Sequence, residues 1–119
     1  MLLRKSLMTK RFSNIITEIN KGTLFCKLNN PLKKNALSKA LVSELTDFVD
    51  SCSNTPNINS IVFLSNEPGY FCTGADLKER LQMKTEQEIE EFVASFRTLF
   101  NRIYRLDLPT FAFIGNIFN

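Results

Sequence analysis

The sequence predicts an α/β domain in which helices cover a mostly parallel β-sheet. Short apolar runs at residues 61–64 and 110–114 are typical of buried strands. They alternate with two longer segments in which apolar residues recur at spacings of three and four, the pattern of amphipathic helices. An order of strand, helix, strand, helix, strand favours βαβ connections. The chain has 119 residues, 11 of them phenylalanine, so we expect one globular domain with a modest core.

The first predicted elements are two strands, at residues 15–19 and 23–28, joined by a tight turn. Asparagines and a proline mark residues 29–35 as a loop. Ser38 is the predicted N-cap of a helix that runs to about Ser53. The face of this helix that we expect to be buried carries Leu41, Leu45, Phe48, Val49 and Cys52.

The second half begins with a predicted strand at residues 60–65, which leads through a Pro-Gly turn to residues 71–78. Asp76 is the predicted N-cap of a short helix in that segment. A capping box at Thr85 opens a second long helix before the last predicted strand. The apolar stripe of this helix consists of Ile89, Phe92, Val93, Phe96, Leu99, Phe100, Ile103 and Leu106.

Composition excludes several classes of site. The chain has no histidine, so it holds no Ser–His or Cys–His pair and no zinc site with histidine ligands. Cys26, Cys52 and Cys72 are odd in number and far apart, which predicts buried free thiols in a reducing compartment rather than disulfides or a metal site. No apolar stretch is long enough to span a membrane. The net charge of +3 does not by itself imply a nucleic-acid partner.

Basic residues are concentrated at the start of the chain. Residues 1–13 contain Arg4, Lys5, Lys10 and Arg11 and no acidic residue. This composition is typical of a mitochondrial presequence, and a disordered basic tail is the alternative. We therefore expect a targeting segment at residues 1–13, for import into the mitochondrial matrix, and a domain at residues 14–119.

The segment 71–78 joins the end of a predicted strand to the start of a predicted helix, with Gly74 at the junction. Such a junction leaves the N–H groups of the first helical turn unpaired, and their partial positive charge suits an oxygen that becomes anionic during a reaction. Small residues at Gly74 and Ala75 leave room for a substrate carbonyl to approach the backbone. The alternative is an ordinary strand-to-helix turn that Asp76 caps.

Three segments in this order carry a family resemblance. Residues 28–38, which include Leu28-Asn29-Asn30-Pro31 and Asn35-Ala36-Leu37-Ser38, are followed by residues 71–80 and 109–114. Together they resemble the enoyl-CoA hydratase/isomerase (crotonase) family over about residues 15–114. The resemblance implies the N-terminal part of a crotonase (ClpP-like) ββα spiral fold, truncated. Residues 41–45 and 74–80 look most like the mitochondrial methylglutaconyl-CoA hydratase and enoyl-CoA hydratase domain-containing types of that family.

The same resemblance implies roles for individual residues. The backbone N–H of Ala75 is the implied first oxyanion donor, which stabilises the thioester oxygen when water adds to an enoyl-CoA. The resemblance places Lys33 and Lys34 beside the nucleotide of CoA, and the alternative is that both lysines lie in a solvated loop without phosphate contact. No metal or separate cofactor is implied, because the CoA thioester is itself the substrate. The implied CoA-binding residues are Lys33, Lys34, Ala36, Gly74, Ala75, Asp76, Leu77 and Lys78.

In the family, the second oxyanion donor and the catalytic glutamates follow the last strand that this sequence shares with it. The resemblance therefore implies a chain that lacks the catalytic second half, together with the helices that build the family's trimers and hexamers. Asp76 is predicted to act as a cap and Glu79 to lie on an exposed helix face, so neither replaces those glutamates. We expect the chain to be inactive in hydration on its own, with large exposed apolar surfaces.

Two alternatives to the hydratase interpretation remain open. The first follows from the resemblance to the methylglutaconyl-CoA hydratase type, which implies binding of AU-rich RNA through a basic helix. The matching helix at residues 38–53 has Lys39 as its single cation against Glu44, Asp47 and Asp50, which disfavours RNA. The other alternative is a non-catalytic product, namely a splice or gene-model fragment or an interaction partner of full-length subunits.

Overall fold

The computed structural model describes residues 11–114, so most of the predicted targeting segment lies outside the described residues. The chain order is two strands, a 3₁₀ turn at Pro31–Lys33, a helix, a strand, two helices and a last strand. The strands are β1 (Ile15–Asn20), β2 (Thr23–Leu28), β3 (Ser60–Ser65) and β4 (Thr110–Ala112), and the helices are α1 (Lys39–Cys52), α2 (Leu77–Gln82) and α3 (Glu86–Tyr104).

The four described strands form one sheet in the order β1-β2-β3-β4. β1 is antiparallel to β2, while the β2–β3 and β3–β4 pairs are parallel. The antiparallel pair is joined by the predicted tight turn, in which Gly22 has a φ of +84°. The parallel pairs are joined through helices, as βαβ logic requires. The mostly parallel α/β sheet predicted from the sequence is therefore confirmed.

Helix α1 forms where local signals predict it. The Ser38 hydroxyl accepts the N–H of Leu41 at 3.1 Å, which caps the helix as expected. All five residues of the predicted apolar face are buried. They pack with Leu24 of β2, Ile61 of β3 and Leu99 of α3 in one core cluster. α1 and the sheet therefore form the core that supports the loops at residues 29–37 and 66–76.

The last elements differ from their predictions. α3 ends at Tyr104 rather than near Leu106, and within its stripe only Phe92 and Leu99 are buried. β4 is shorter than predicted and exposed rather than buried. The reason is its place at the edge of the described sheet, where it pairs with β3 alone. β3 was also predicted to be buried, and only its Ile61 is. The sequence also predicts large exposed apolar surfaces, and Phe100 of α3, Phe111 of β4 and Phe113 just after it are exposed.

The thiols follow the sequence prediction in two of three cases. Cys26 and Cys52 are buried and unpaired, whereas Cys72 is half-exposed beside the turn at Gly74. Burial raises the pKa of the Cys52 thiol to about 12 and raises that of Cys26 as well. Both thiols therefore stay protonated and unreactive near neutral pH.

Within residues 11–114, no helix combines the length and apolar character needed to cross a bilayer.

Candidate functional site

The turn between β3 and α2 is organised around Gly74, which has a φ of +90°. A Cβ built on this glycine would have no atom within 4 Å apart from those of its two chain neighbours. The requirement for glycine is therefore conformational rather than steric, since L side chains rarely adopt this φ. The Gly74 N–H approaches the Sγ of Cys72 at 3.4 Å, which tightens the turn.

Ala75 follows Gly74 and forms an isolated parallel bridge with Leu37. The Leu37 N–H donates to the Gly74 carbonyl at 2.7 Å, and the Asp76 N–H donates to the Leu37 carbonyl at 3.2 Å. In this pattern the N–H and the carbonyl of Leu37 are both hydrogen-bonded, while the N–H and the carbonyl of Ala75 point to the opposite side. No described residue accepts the Ala75 N–H. The bridge thus holds a free donor in a defined direction.

Asp76 is buried and caps α2 as predicted. Its Oδ1 accepts the N–H groups of Lys78 at 3.0 Å and Glu79 at 3.2 Å. Its Oδ2 accepts a hydrogen bond from Lys33 Nζ at 2.9 Å. The bond from Lys33 and the two backbone N–H groups hold the pKa of the carboxyl below its ordinary value. Asp76 therefore stays ionised and occupied, which leaves it unsuited to proton transfer.

The lysines predicted to bind CoA have different surroundings. The ammonium of Lys33 is committed to Asp76, with Glu79 Oε2 at 4.0 Å, and the bond to Asp76 raises the pKa of Lys33. Lys34 is exposed, has a φ of +50° and makes no ion pair with any described residue. Lys78 is exposed on the first turn of α2. Of these three lysines, Lys34 and Lys78 are therefore available to an anionic ligand.

The remaining predicted site residues lie close by. Ala36 is buried and directly precedes Leu37, the residue that pairs with Ala75. Leu77 is 70% exposed and begins α2. The structure therefore brings residues 33–37 and 74–78 together, whereas in sequence they are about forty positions apart.

Asn35 is a residue of this site that sequence reasoning missed. It is fully buried, and its Nδ2 donates to the Phe71 carbonyl and to the Ser65 hydroxyl, each at 2.9 Å. Its Oδ1 accepts the Asn30 N–H at 2.8 Å. The one signal in the sequence is an asparagine in a loop, because asparagine is among the few residues other than glycine that tolerate the left-handed φ of +57° seen here.

Glu79 also differs from its prediction. It was expected on an exposed helix face, but it is half-buried and its Oε1 accepts the Lys39 N–H at 2.8 Å. This hydrogen bond satisfies a donor in the first turn of α1 and ties that helix to α2. The difference arises because the two helices begin beside each other, a long-range contact that local patterns do not encode.

An apolar groove of about 440 Å³ lies beside the turn. Phe71 and Cys72 line it on the turn side, Phe100 and Ile103 on the α3 side, and Phe111 on β4. None of the described residues that line the groove is charged. Its chemistry suits a hydrocarbon chain rather than an ionised group.

We expect Asp76 to make folding stability depend on pH in the acid range. Because the pKa of the folded carboxyl is lowered below 3.8, its contribution is complete above that value and is lost as the pH falls through the lowered pKa. Asp76→Asn keeps a capping side chain but loses the charge that pairs with Lys33. The difference in urea midpoint between wild type and Asp76→Asn should therefore be constant above about pH 5 and shrink toward about pH 2.

The matched control is Asp107→Asn, at an exposed position without an ion pair to any described residue. It should show no such trend. A wild-type advantage over Asp76→Asn that persists undiminished at the lowest pH would contradict the ion pair with Lys33.

Comparison with known proteins identifies the family. The enoyl-CoA hydratase/isomerase model matches residues 18–116. Mitochondrial methylglutaconyl-CoA hydratase from Mus musculus is 38% identical over 102 residues, which are 86% of this chain and 32% of that protein. The probable mitochondrial enoyl-CoA hydratase 2 from Arabidopsis thaliana is 34% identical over 101 residues, 85% of this chain and 33% of that protein. The chain spans about a third of the length of these relatives.

Solved structures agree with the sequence comparisons. The enoyl-CoA hydratase of Bacillus anthracis superposes with a TM-score of 0.81 at 28% identity, covering 87% of this chain and 40% of that one. A putative enoyl-CoA hydratase/isomerase (crotonase) of Legionella pneumophila gives a TM-score of 0.78 at 28% identity, with the same coverage of 87% and 40%. The predicted crotonase fold is confirmed for the part of it that this chain contains. The chain belongs to the enoyl-CoA hydratase/isomerase family.

Proposed function

We propose that this chain supplies the first oxyanion donor and part of the CoA site of an enoyl-CoA hydratase, which adds water to an enoyl-CoA in fatty-acid or branched-chain amino-acid catabolism. The observation that carries the proposal is the free N–H of Ala75, held by the bridge to Leu37. The chain spans about a third of the length of its curated relatives, so the complete hydration reaction is part of what we propose.

The chemistry needs a fixed donor at this point. When water adds to the β-carbon of an enoyl thioester, negative charge accumulates on the thioester oxygen. A preorganised backbone N–H stabilises that charge, and losing one such donor typically lowers the rate about 10²–10³-fold. Asp76 and Glu79 are already engaged as helix caps. The turn and these two carboxylates are therefore proposed to contribute binding and charge stabilisation rather than proton transfer.

The surroundings of Ala75 fit the rest of the substrate. Lys34 and Lys78 are exposed, make no ion pair with a described residue, and offer their ammonium groups to the phosphates of CoA. The apolar groove beside Phe71 and Cys72 offers space to the acyl chain. Lys33 is proposed to act mainly through Asp76, because its ammonium is already paired there.

The alternatives differ in support. The charges of α1 disfavour RNA binding, because Lys39 is its single cation and Asp47 and Asp50 are exposed along it. The helix therefore does not offer a positive face to RNA. For an interaction partner, the exposed Phe111 and Phe113 at the sheet edge are a supporting observation. Assembly of this chain into the trimers or hexamers of the full-length family stays a prediction.

We also propose delivery to the mitochondrial matrix. The support is the basic, acid-free composition of residues 1–13 and the word mitochondrial in the names of similar relatives.

The donor is tested with Gly74→Ala and the matched control Gly69→Ala. Gly74 and Gly69 have φ values of +90° and +94°, and both have open space around the added methyl group. Both variants should therefore lose about 1–2 kcal/mol of stability. Only Gly74→Ala redirects the Ala75 N–H. The probe is 2,4-hexadienoyl-CoA, whose conjugated thioester absorbs at longer wavelength when its carbonyl oxygen accepts a hydrogen bond.

Wild type and Gly69→Ala should therefore produce the red shift on binding, and Gly74→Ala should lose most of it. Equal shifts in all three proteins, or none in wild type, would contradict the assignment of Ala75 as the donor.

The CoA site is tested with Lys34→Gln and the matched control Lys21→Gln. Both lysines are exposed, and their φ values are +50° and +52°. Removing an exposed phosphate contact is worth roughly 0.5–1 kcal/mol, so Lys34→Gln should weaken CoA binding about two- to fivefold at low salt and less at high salt. Calorimetric titration with CoA checks this. Equal affinities of the two variants would argue for a solvated loop at Lys34.

Targeting is tested with a fluorescent protein fused to residues 1–30, which should enter mitochondria. Replacing Arg4, Lys5, Lys10 and Arg11 with glutamine should abolish import, because presequences depend on their positive charge. A diffuse cytosolic signal from the unchanged fusion would refute a targeting role.

A further inference from the structure

We infer that Asn35 is a positioning residue for the donor at Ala75, an inference that rests on the proposed function. The hydrogen-bond partners of Asn35 are Asn30, Ser65 and Phe71 rather than Ala75. It acts through the backbone of the turn, which it holds by its side chain and by the loop that it shapes.

The side chain of Asn35 joins three segments. The Nδ2 group donates to the Phe71 carbonyl, where the turn begins, and to the Ser65 hydroxyl, where β3 ends. The Oδ1 atom accepts the N–H of Asn30. Both amide protons and the amide oxygen are thus used, and the residue is 0% exposed. A buried amide with every group paired fixes its neighbours in one arrangement.

The backbone of Asn35 acts on the same turn from the other side. Lys34 and Asn35 have successive left-handed φ values of +50° and +57°, and the Asn35 N–H donates to the Asn30 carbonyl at 2.9 Å. These two residues reverse the chain so that Leu37 lies beside Ala75. Asparagine is one of the few residues other than glycine that adopt this conformation readily.

The turn is therefore held at both ends by one loop. The Phe71 carbonyl is bound by the Asn35 side chain, and Gly74 and Asp76 are bound by Leu37. Between these two points the Ala75 N–H is left outside the pairing. If the Asn35 amide is lost, the upstream end of the turn is released and the direction of the donor is no longer fixed.

The test uses three variants of the 119-residue chain, each with a single substitution. Asn35→Asp keeps an acceptor for Asn30 but cannot donate to Phe71 or Ser65. Asn35→Gly removes the side chain, adds no buried charge and tolerates the positive φ, so it remains informative where the aspartate variant fails to fold. Ser65→Ala is the matched control, because it removes the hydrogen bonds that the Ser65 hydroxyl accepts from Asn35 and from the Glu67 N–H and leaves the bond from Asn35 to Phe71.

Two readouts separate positioning from general stability. The first is amide hydrogen exchange, in which the N–H groups of Leu37 and Asp76 should exchange at least about tenfold faster in the Asn35 variants, while those within α1 should not. The second is the red shift of bound 2,4-hexadienoyl-CoA. It should fall by more than half in the Asn35 variants and persist in Ser65→Ala.

The outcomes are distinguishable. A red shift that the Asn35 variants retain in full overturns the positioning role alone. Exchange that accelerates equally across α1 and the turn also overturns it, because Asn35 would then support only global folding. A wild-type chain that produces no red shift contradicts the proposed function and removes the basis of this inference.

Discussion

The backbone pairing between Leu37 and residues 74–76 is the contact on which the candidate site depends. It consumes both peptide groups of Leu37 and turns those of Ala75 outward, which is a property of parallel pairing rather than of any side chain. Gly74 makes the required conformation accessible, and Asn35 places the partner segment. The site is thus built from main-chain geometry, and few side chains in it are free to do chemistry.

Charges around the turn support this geometry rather than supply a reactive group. Asp76 is buried and ionised, with hydrogen bonds from α2 and from Lys33. Because Lys33 is itself partly exposed, the ion pair contributes modestly to stability, and its larger effect is to choose one arrangement of the loop against the turn. Glu79 likewise fixes the start of α1 against α2 by accepting the N–H of Lys39. Lys34 and Lys78 make no ion pair with a described residue and are left for a ligand.

Local signals in the sequence predicted the caps at Ser38 and Asp76 and the bounds of β3, because each depends on neighbouring residues. The contacts of Asn35 and Glu79 were not predictable in this way, since their partners lie some thirty to forty positions away. The exposure of β4 was missed for a related reason. An apolar run indicates that a strand is suited to burial, but it does not show whether other described residues pack over it.

The most direct test of a free, outward donor at Ala75 is the chemical shift of its own amide. The chain has five alanines, so labelling alanine alone with nitrogen-15 gives a spectrum simple enough to assign. The Ala75 amide proton should move downfield when crotonyl-CoA is added, and should stay in place with the thioether analogue, in which a methylene group replaces the carbonyl. Identical responses to the two ligands, or no response to either, would contradict the account.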